Sequence, residues 1–307
     1  MEEEKIIERL QKRIKYKNKD VIVGIGDDTS VIKLDKKFFL LFTNDVVIEN
    51  IHFKKENTTP CQIGWKSLAV NLSDISAMGG IPLYALVSLG LPEGNFKLVE
   101  GIYKGIETLS KKYGVEIVGG NISKSKILFI DIFLVGKVEK RNLKLRNNAK
   151  PGDLIYVTGK LGASQIRKHL QFEPRIKESR ELIKKLKISA MIDISDGLSS
   201  DLIKLAKASK VGFEIYYKQI PVSYEALKIS KTEEEAISHA LNDGEDYELL
   251  FTVPVKLSMN VPKKIFSTPI TCIGKIIQEQ SYYGVLRNKR EKIKSQGFNH
   301  FGKYSLD

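Results

Sequence analysis

The sequence predicts a mixed α/β protein, α+β in character, built as two such units. Three observations carry this. The chain has 307 residues, more than the roughly 100–200 of one ordinary domain. Short apolar runs alternate with longer amphipathic ones, the pattern of strands interleaved with helices. The pattern weakens once, around residues 140–153, where Lys140, Arg141 and Asn142 lead to Arg146 and then to Pro151-Gly152-Asp153, the composition of a linker. The expected units are therefore residues 1–140 and 150–307.

The elements follow in order. Ile6, Ile7, Leu10 and Ile14 recur at near-helical spacing among charges, which predicts an amphipathic helix over 1–20. Val21–Ile25 reads as a short strand closed by a turn at Gly26-Asp27-Asp28. Phe38–Phe42 reads as a buried strand ending at Thr43-Asn44-Asp45. A helix is expected from Cys61 to Met78, stopped by Gly79-Gly80 and Pro82. Tyr84–Leu89 is a strand, and Phe96–Tyr113 a helix that Gly114 terminates. Glu116–Val118 is a strand that meets Gly119-Gly120-Asn121, and Leu128–Gly136 is another. In the second half, strands are expected at Leu154–Thr158, Ala190–Ile194, Phe213–Tyr217, Tyr247–Val253 and Ile270–Ile276. Helices are expected at Glu178–Lys187 and Leu198–Ser209.

Composition narrows the class. Hydrophobic residues make up 42% and charged residues 28%, as in globular proteins with sizeable cores. The longest apolar runs, such as Phe38–Phe42 and Leu83–Leu91, fall short of the about 20 residues a spanning helix needs. The first twenty residues are mostly charged or polar, so no secretory signal is read there. Cys61 and Cys272 are too few for a disulfide framework. The expected compartment is the cytoplasm, with no membrane partner. Lys and Arg exceed Asp and Glu by 50 to 37, a net +13. The excess is diffuse and accompanies no RNA-binding signature, so it reads as solvated surface that steers an anionic substrate. A nucleic-acid-binding module is the rival class, with steep salt dependence as its mark.

The chemistry gathers at one recurring theme, an apolar strand or small-residue helix that carries carboxylates: Gly26-Asp27-Asp28, Thr43-Asn44-Asp45, Ser73-Asp74, Asp193-Ile194-Ser195-Asp196-Gly197 and Gly244-Glu245-Asp246. Strand-end loops are where α/β proteins hold ligands. Carboxylates crowded there repel one another unless a cation neutralises them. Mg²⁺ prefers oxygen ligands and is held by a few carboxylates plus substrate phosphates. Several such loops point to more than one Mg²⁺ and a polyphosphate. No G-x-x-x-x-G-K-S/T loop is present, and no zinc motif.

Taken together, these residues resemble the thiamine-monophosphate kinase family of the aminoimidazole-ribonucleotide synthetase-like superfamily. The resemblance rests on Gly24-Ile25-Gly26-Asp27-Asp28, Thr43-Asn44-Asp45 with His52-Phe53, Val70-Asn71-Leu72-Ser73-Asp74 with Ala77-Met78-Gly79-Gly80, and Val118-Gly119-Gly120-Asn121. It continues through Ala149-Lys150-Pro151-Gly152-Asp153, Ile192-Asp193-Ile194-Ser195-Asp196-Gly197-Leu198, Gly244-Glu245-Asp246-Tyr247-Glu248-Leu249 and Gly297-Phe298-Asn299-His300-Phe301. It spans about residues 20–301. Selenophosphate synthetase and the hydrogenase-maturation dehydratase share single pieces. The first would want a reactive Cys near the start, and the second a cysteine at the end, where this chain has Tyr304-Ser305-Leu306-Asp307.

The resemblance implies ATP-dependent phosphorylation of thiamine monophosphate to thiamine diphosphate. It implies a homodimer whose N-terminal sheets pair, an N-terminal unit that binds ATP and Mg²⁺, and a C-terminal unit that completes the site. By resemblance, the metal residues are Asp27 or Asp28, Thr43, Asn44, Asp45, Asp74, Asn121, Asp193 and Asp196, with turnover resting on Asp45 and Asp196. The nucleotide residues are Tyr103, Gly120, Asn121, Arg146 and Ser195. The substrate residues are His52, Glu245 and Phe298 or Phe301. These roles suit the chemistry: the acceptor is an anionic phosphate, so positioning and charge neutralisation outweigh a general base. Arg146 has the fork geometry for a phosphate. Tyr103 could stack on adenine, and His52 with a C-terminal aromatic could flank the cationic thiazolium. Three departures from the family pattern stand out: Asn121 where Asp is usual after Gly-Gly, Asp243 in place of a glycine, and Gly162-Ala163-Ser164 in place of a Gly-Asp-Ser.

Overall fold

Two sheets organise the chain, and the computed structural model describes residues 2–298 apart from Asn288. The first half runs α1 (Glu2–Arg13), β1 (Val21–Val23), β2 (Ser30–Lys33), β3 (Phe38–Ile48), α2 (Pro60–Ala77), β4 (Ile81–Leu91), α3 (Phe96–Tyr113), β5 (Glu116–Lys124) and β6 (Phe129–Glu139). Its six strands lie in the order β1-β2-β3-β6-β4-β5. The β4–β5 pair is parallel and the others are antiparallel. Lys140–Asn142 then forms a short 3-10 turn.

The second half runs β7 (Asp153–Thr158), α4 (Ser164–Arg167), α5 (Ile176–Lys185), β8 (Met191–Asp193), α6 (Leu198–Ser209), β9 (Gly212–Tyr216), α7 (Tyr224–Ile229), α8 (Glu233–Asn242), β10 (Leu249–Pro254), β11 (Lys264–Ile265), β12 (Thr268–Ile277), β13 (Tyr282–Leu286) and β14 (Lys289–Lys292). The strand order is β14-β13-β9-β12-β7-β10-β8, with β11 paired to β12. The mixed α/β class with two sheets is thus as the sequence predicts. No helix among the described residues is long and apolar enough to cross a membrane.

α2 is the organising helix. It starts at a capping box, in which Thr59 and Gln62 satisfy each other's backbone donors with Pro60 at the first helical position. It is buried along most of its length and packs on the first sheet and on α3. The two helices touch backbone to backbone. A Cβ on Gly64 would meet the Ile102 carbonyl oxygen at 1.9 Å, and one on Gly105 would meet that of Cys61 at 2.0 Å. On β6, Ile130, Ile132 and Leu134 turn inward. The opposite sheet face is open, with Tyr84, Leu86 and Val118 exposed beside Phe133 and Val135.

The first core reaches across the halves. Phe172 and Tyr247 belong to it, their rings stacked at 4.0 Å between centroids. The segment carrying Phe172 is pinned beneath it by Glu248. That carboxylate accepts from Lys168 at 2.5 Å, from Arg175 Nε and Nη2 at 2.7 and 2.6 Å, and from Thr158 at 2.8 Å. Burial opposes its ionisation, but the two cations outweigh burial and hold its pKa down at about 2.

Several boundaries differ from the sequence reading. The helix expected over 1–20 ends at Arg13, because its apolar repeat ends at Ile14 and four of residues 15–20 are charged. β3 does not stop at Phe42 but continues to Ile48, so Thr43, Asn44 and Asp45 lie within a strand. β5 likewise runs through Gly119-Gly120-Asn121 to Lys124. The strand β2 and the helices α7 and α8 had no counterpart in the sequence reading.

Candidate active site

β3 alternates sides, and that alternation builds one wall of the site. Thr43 faces inward and donates its hydroxyl to the Asp74 carboxylate of α2. One residue earlier on α2, Ser73 donates to Asp193 at the end of β8, at 2.6 Å. The turn before β2 supplies Asp28. Oxygens of Asp28, Asp74 and Asp193 all lie within 4.8 Å of one another. Arg146, from the segment joining the halves, grips Asp28 through Nη2 at 2.5 Å. Its backbone N–H donates to Asp27 at 3.2 Å.

Arg146 offsets only part of the charge of this cluster. Burial, then the neighbouring carboxylates Asp45, Asp193 and Asp28, push the Asp74 pKa well up. Burial and Asp28 do the same to Asp193, against the Ser73 hydrogen bond. Asp28 is pushed up to about 6, burial and Asp27 outweighing Arg146. Asp28 Oδ2 is buried with no hydrogen-bond partner. Three close carboxylates, one with a free buried oxygen, form a donor set that fits a hard divalent cation.

Below this cluster, the loop after β8 carries Ser195 and Asp196. Asp201 of α6 accepts the backbone N–H groups of Asp196 and Gly197 at 2.9 and 3.2 Å. Lys204 bridges Asp196 and Asp201 at 2.5 and 2.7 Å. Facing it, the loop before β10 is held by Glu245 N–H to the Ser195 carbonyl and Tyr247 N–H to the Ile194 carbonyl, both 2.7 Å. Glu245 and Tyr247 are both left-handed, at φ 54° and 48°.

Two cavities meet here. One of about 910 Å³ is lined by Asp27, Asp28, Thr43, Arg146 and Lys204, and α1 roofs it with Ile7 and Gln11. The other, of about 620 Å³, is lined by His52, Lys66, Glu245, Tyr247 and Phe298. Asp45, Asp74, Asp193, Ser195 and Asp196 line both. The arrangement offers room for two ligands whose ends meet at a carboxylate wall.

Most of the residues singled out from sequence come together: Asp27, Asp28, Thr43, Asp45, Asp74, Arg146, Asp193, Ser195 and Asp196 around the wall, and His52, Glu245 and Phe298 beyond it. Asn44 lines the larger cavity, yet its side chain donates to Asp131 at 2.8 Å, away from Asp74. Asn121 sits opposite Ser88 on the edge strand β5, exposed, bonded to Ser123 at 3.1 Å. Gly120 precedes it, where a Cβ would lie 1.8 Å from the Val87 carbonyl oxygen. Tyr103 packs from α3 against the first core. None of Tyr103, Gly120 and Asn121 lines either cavity. Phe301 lies outside the described residues. Sequence reasoning missed Lys66, Lys204, Asp201 and Tyr247. Tyr247 sits inside the Gly244-Glu245-Asp246-Tyr247-Glu248-Leu249 motif; the lysines carry no local signal.

Residues 26–138 match the N-terminal domain of the AIR synthase related protein family, and residues 150–285 its C-terminal domain. The thiamine-monophosphate kinase of Buchnera aphidicola subsp. Schizaphis graminum (strain Sg) is 38% identical, over 96% of this chain and 98% of that protein. The thiamine-monophosphate kinase of Bacillus subtilis (strain 168) is 33% identical, over 92% and 94%. The solved structure of AaThiL complexed with AMPPCP and TMP superposes with a TM-score of 0.81 at 34% identity, covering 96% of each chain.

Proposed function

The chain belongs to the thiamine-monophosphate kinase family, and we infer that it catalyses ATP-dependent phosphorylation of thiamine monophosphate to thiamine diphosphate, the last step in making that cofactor. The observation that carries this is the carboxylate wall shared by two cavities. The larger takes ATP with its triphosphate toward the wall. The smaller takes thiamine monophosphate with its phosphate toward the same wall.

Asp28, Asp74 and Asp193, with Thr43, Asp45 and Asp196 beside them, would hold Mg²⁺, several ions of it, which would supply the positive charge that lets two anionic phosphates approach. The protein's part is positional. Thr43 and Ser73 orient Asp74 and Asp193 by donating to them. Lys204 and Asp201 fix the Asp196 loop. Arg146 aims Asp28. His52 and Phe298, whose tilted rings meet at 6.3 Å between centroids, offer aromatic surface to the thiazolium, and Glu245 balances its charge. An oxygen of the substrate phosphate forms the new P–O bond as the bond from the γ-phosphorus to ADP breaks. That oxygen is already anionic, so no side chain has to remove a proton.

The open apolar sheet face supports a homodimer through the N-terminal sheets. Such pairing brings Asn44, Gly120 and Asn121 to the seam, where they could complete the partner's nucleotide site. The absence of a disulfide framework fits action in the cytoplasm. The test is an assay with ATP, Mg²⁺ and thiamine monophosphate, with thiamine diphosphate and ADP formed one to one as the expected result. Thiamine as sole acceptor should give no comparable turnover. ATP hydrolysis without thiamine diphosphate would overturn the assignment.

A further inference from the structure

Lys66 stands on the inward face of α2, about one turn before Val70 and two before Ser73 and Asp74. Its side chain is 1% exposed. The ammonium donates to the His52 carbonyl at 2.8 Å and to the Glu245 carboxylate, 179 residues away in sequence. Burial lowers its pKa, and Glu245 opposes that shift. His169 lies near enough to feel both charges.

Stability does not account for this pair. A buried ion pair is commonly matched or bettered by well-packed apolar side chains of the same volume. Here the pair is kept at the wall of the smaller cavity, on a loop that is itself constrained. Glu245 holds a left-handed backbone, which a residue with a Cβ adopts at a penalty. His52 closes a tight turn, its backbone N–H donating to the Ile48 carbonyl at 2.9 Å and its Nδ1 accepting from Ile48 N–H at 3.0 Å. Two separately constrained loops, one from each half, thus meet at a single ammonium.

We propose that Lys66 is the positioning residue of the smaller cavity: it locks the Glu245 carboxylate to the His52 loop and so fixes the spacing into which the cationic ring of the substrate fits. The proposal rests on the reading above that Glu245 and His52 contact thiamine monophosphate. Lys66 also offsets the Glu245 charge on the side of the substrate phosphate, holding one carboxylate oxygen and leaving the other for the ring. Asp45, Asp74, Asp193 and Asp196 already face that phosphate, and an unbalanced Glu245 would add to their repulsion. The device favours a ligand that is positive at the ring and negative at the phosphate.

The test compares Lys66→Met, Glu245→Gln and the double variant in the full-length protein. Steady-state kinetics and equilibrium binding of thiamine monophosphate are read alongside AMPPCP affinity and the unfolding temperature. Lys66→Met should raise KM and Kd for thiamine monophosphate on the order of tenfold or more, with kcat and AMPPCP affinity within about twofold. The double variant should be no worse than the poorer single one, since coupled residues are not additive. If Lys66→Met does not fold, Lys66→Gln, which can still donate to both oxygens without charge, is measured the same way and should give a smaller loss of the same kind. Unchanged thiamine monophosphate binding in Glu245→Gln would refute the substrate role of Glu245 itself. A loss in Glu245→Gln without one in the Lys66 variants, additive losses, or an equal loss of AMPPCP affinity would each overturn the role of Lys66 while leaving that reading intact.

Discussion

Asp74→Asn removes one charge from the wall and should act oppositely on stability and on turnover. Asn keeps an oxygen to accept from Thr43, so the change is largely one of charge. At the 4.8 Å bound on the cluster and an effective dielectric near 20, two carboxylates repel by about 3 kcal/mol. Burial adds a cost of its own: raising Asp28 from 3.8 to about 6, chiefly by burial, corresponds to about 3 kcal/mol at pH values above both. The sign follows from the direction of the shifts. The pKa values are raised, so the native metal-free protein binds protons the unfolded chain has already released. Stability is full below the unfolded value, near pH 4, and is lost as pH climbs through the raised values.

In EDTA at pH 8, Asp74→Asn should therefore be about 2–3 kcal/mol more stable than the parent, a rise of several degrees in Tm. At pH 4 the gain should vanish. With Mg²⁺ the order should reverse, the parent gaining from the ion and the variant gaining little. Turnover should fall by orders of magnitude. Scanning calorimetry at the two pH values, with and without Mg²⁺, reads all of this. Equal melting of parent and variant in EDTA at pH 8 would refute the repulsion, and so would a gain that persists at pH 4.

Asp45→Asn and Asp196→Asn should each lower kcat by orders of magnitude with the circular dichroism spectrum unchanged; parental activity at saturating Mg²⁺ would remove them from the machinery. Glu248→Gln leaves Lys168 without its carboxylate partner and Arg175 with Glu178 alone. It should lose about 3–5 kcal/mol in urea unfolding at pH 7, and less as pH falls from about 4.5 toward 2, because a lowered pKa stabilises only above it. Gly105→Ala drives a methyl into the Cys61 carbonyl and should destabilise by about 1–3 kcal/mol; a loss below half of that would mean the helices separate freely. Asn121→Asp should lower the Mg²⁺ concentration for half-maximal activity and leave thiamine monophosphate KM unchanged; superimposed Mg²⁺ curves would take position 121 out of the metal shell.

What was legible in the sequence, and what was not, divides along the range of the interactions. Asp28, Asp74, Asp193 and Asp196 announce themselves because each sits in a short run whose glycines and small residues mark a strand end or a tightly packed helix. Thr43-Asn44-Asp45 misled for the same reason: Asn and Asp favour turns, so the strand seemed to end at Phe42. Burial of the flanking residues carries β3 on to Ile48, and its two-residue period then separates Thr43 from Asn44. Partners that meet only in the fold left no trace. Arg146 and Asp28 are 118 residues apart, Ser73 and Asp193 120, and Lys66 and Glu245 179. The charge count hid most of all. A net +13 reads as a basic surface, yet Lys66, Arg146, Lys168, Arg175 and Lys204 are turned inward against carboxylates, none of their side chains more than 24% exposed. Each cation marks where an acid is aimed rather than merely tolerated. Asp28, Asp196 and Glu245, the acids so held, line the two cavities to which we assign the two phosphates and the ring beyond them.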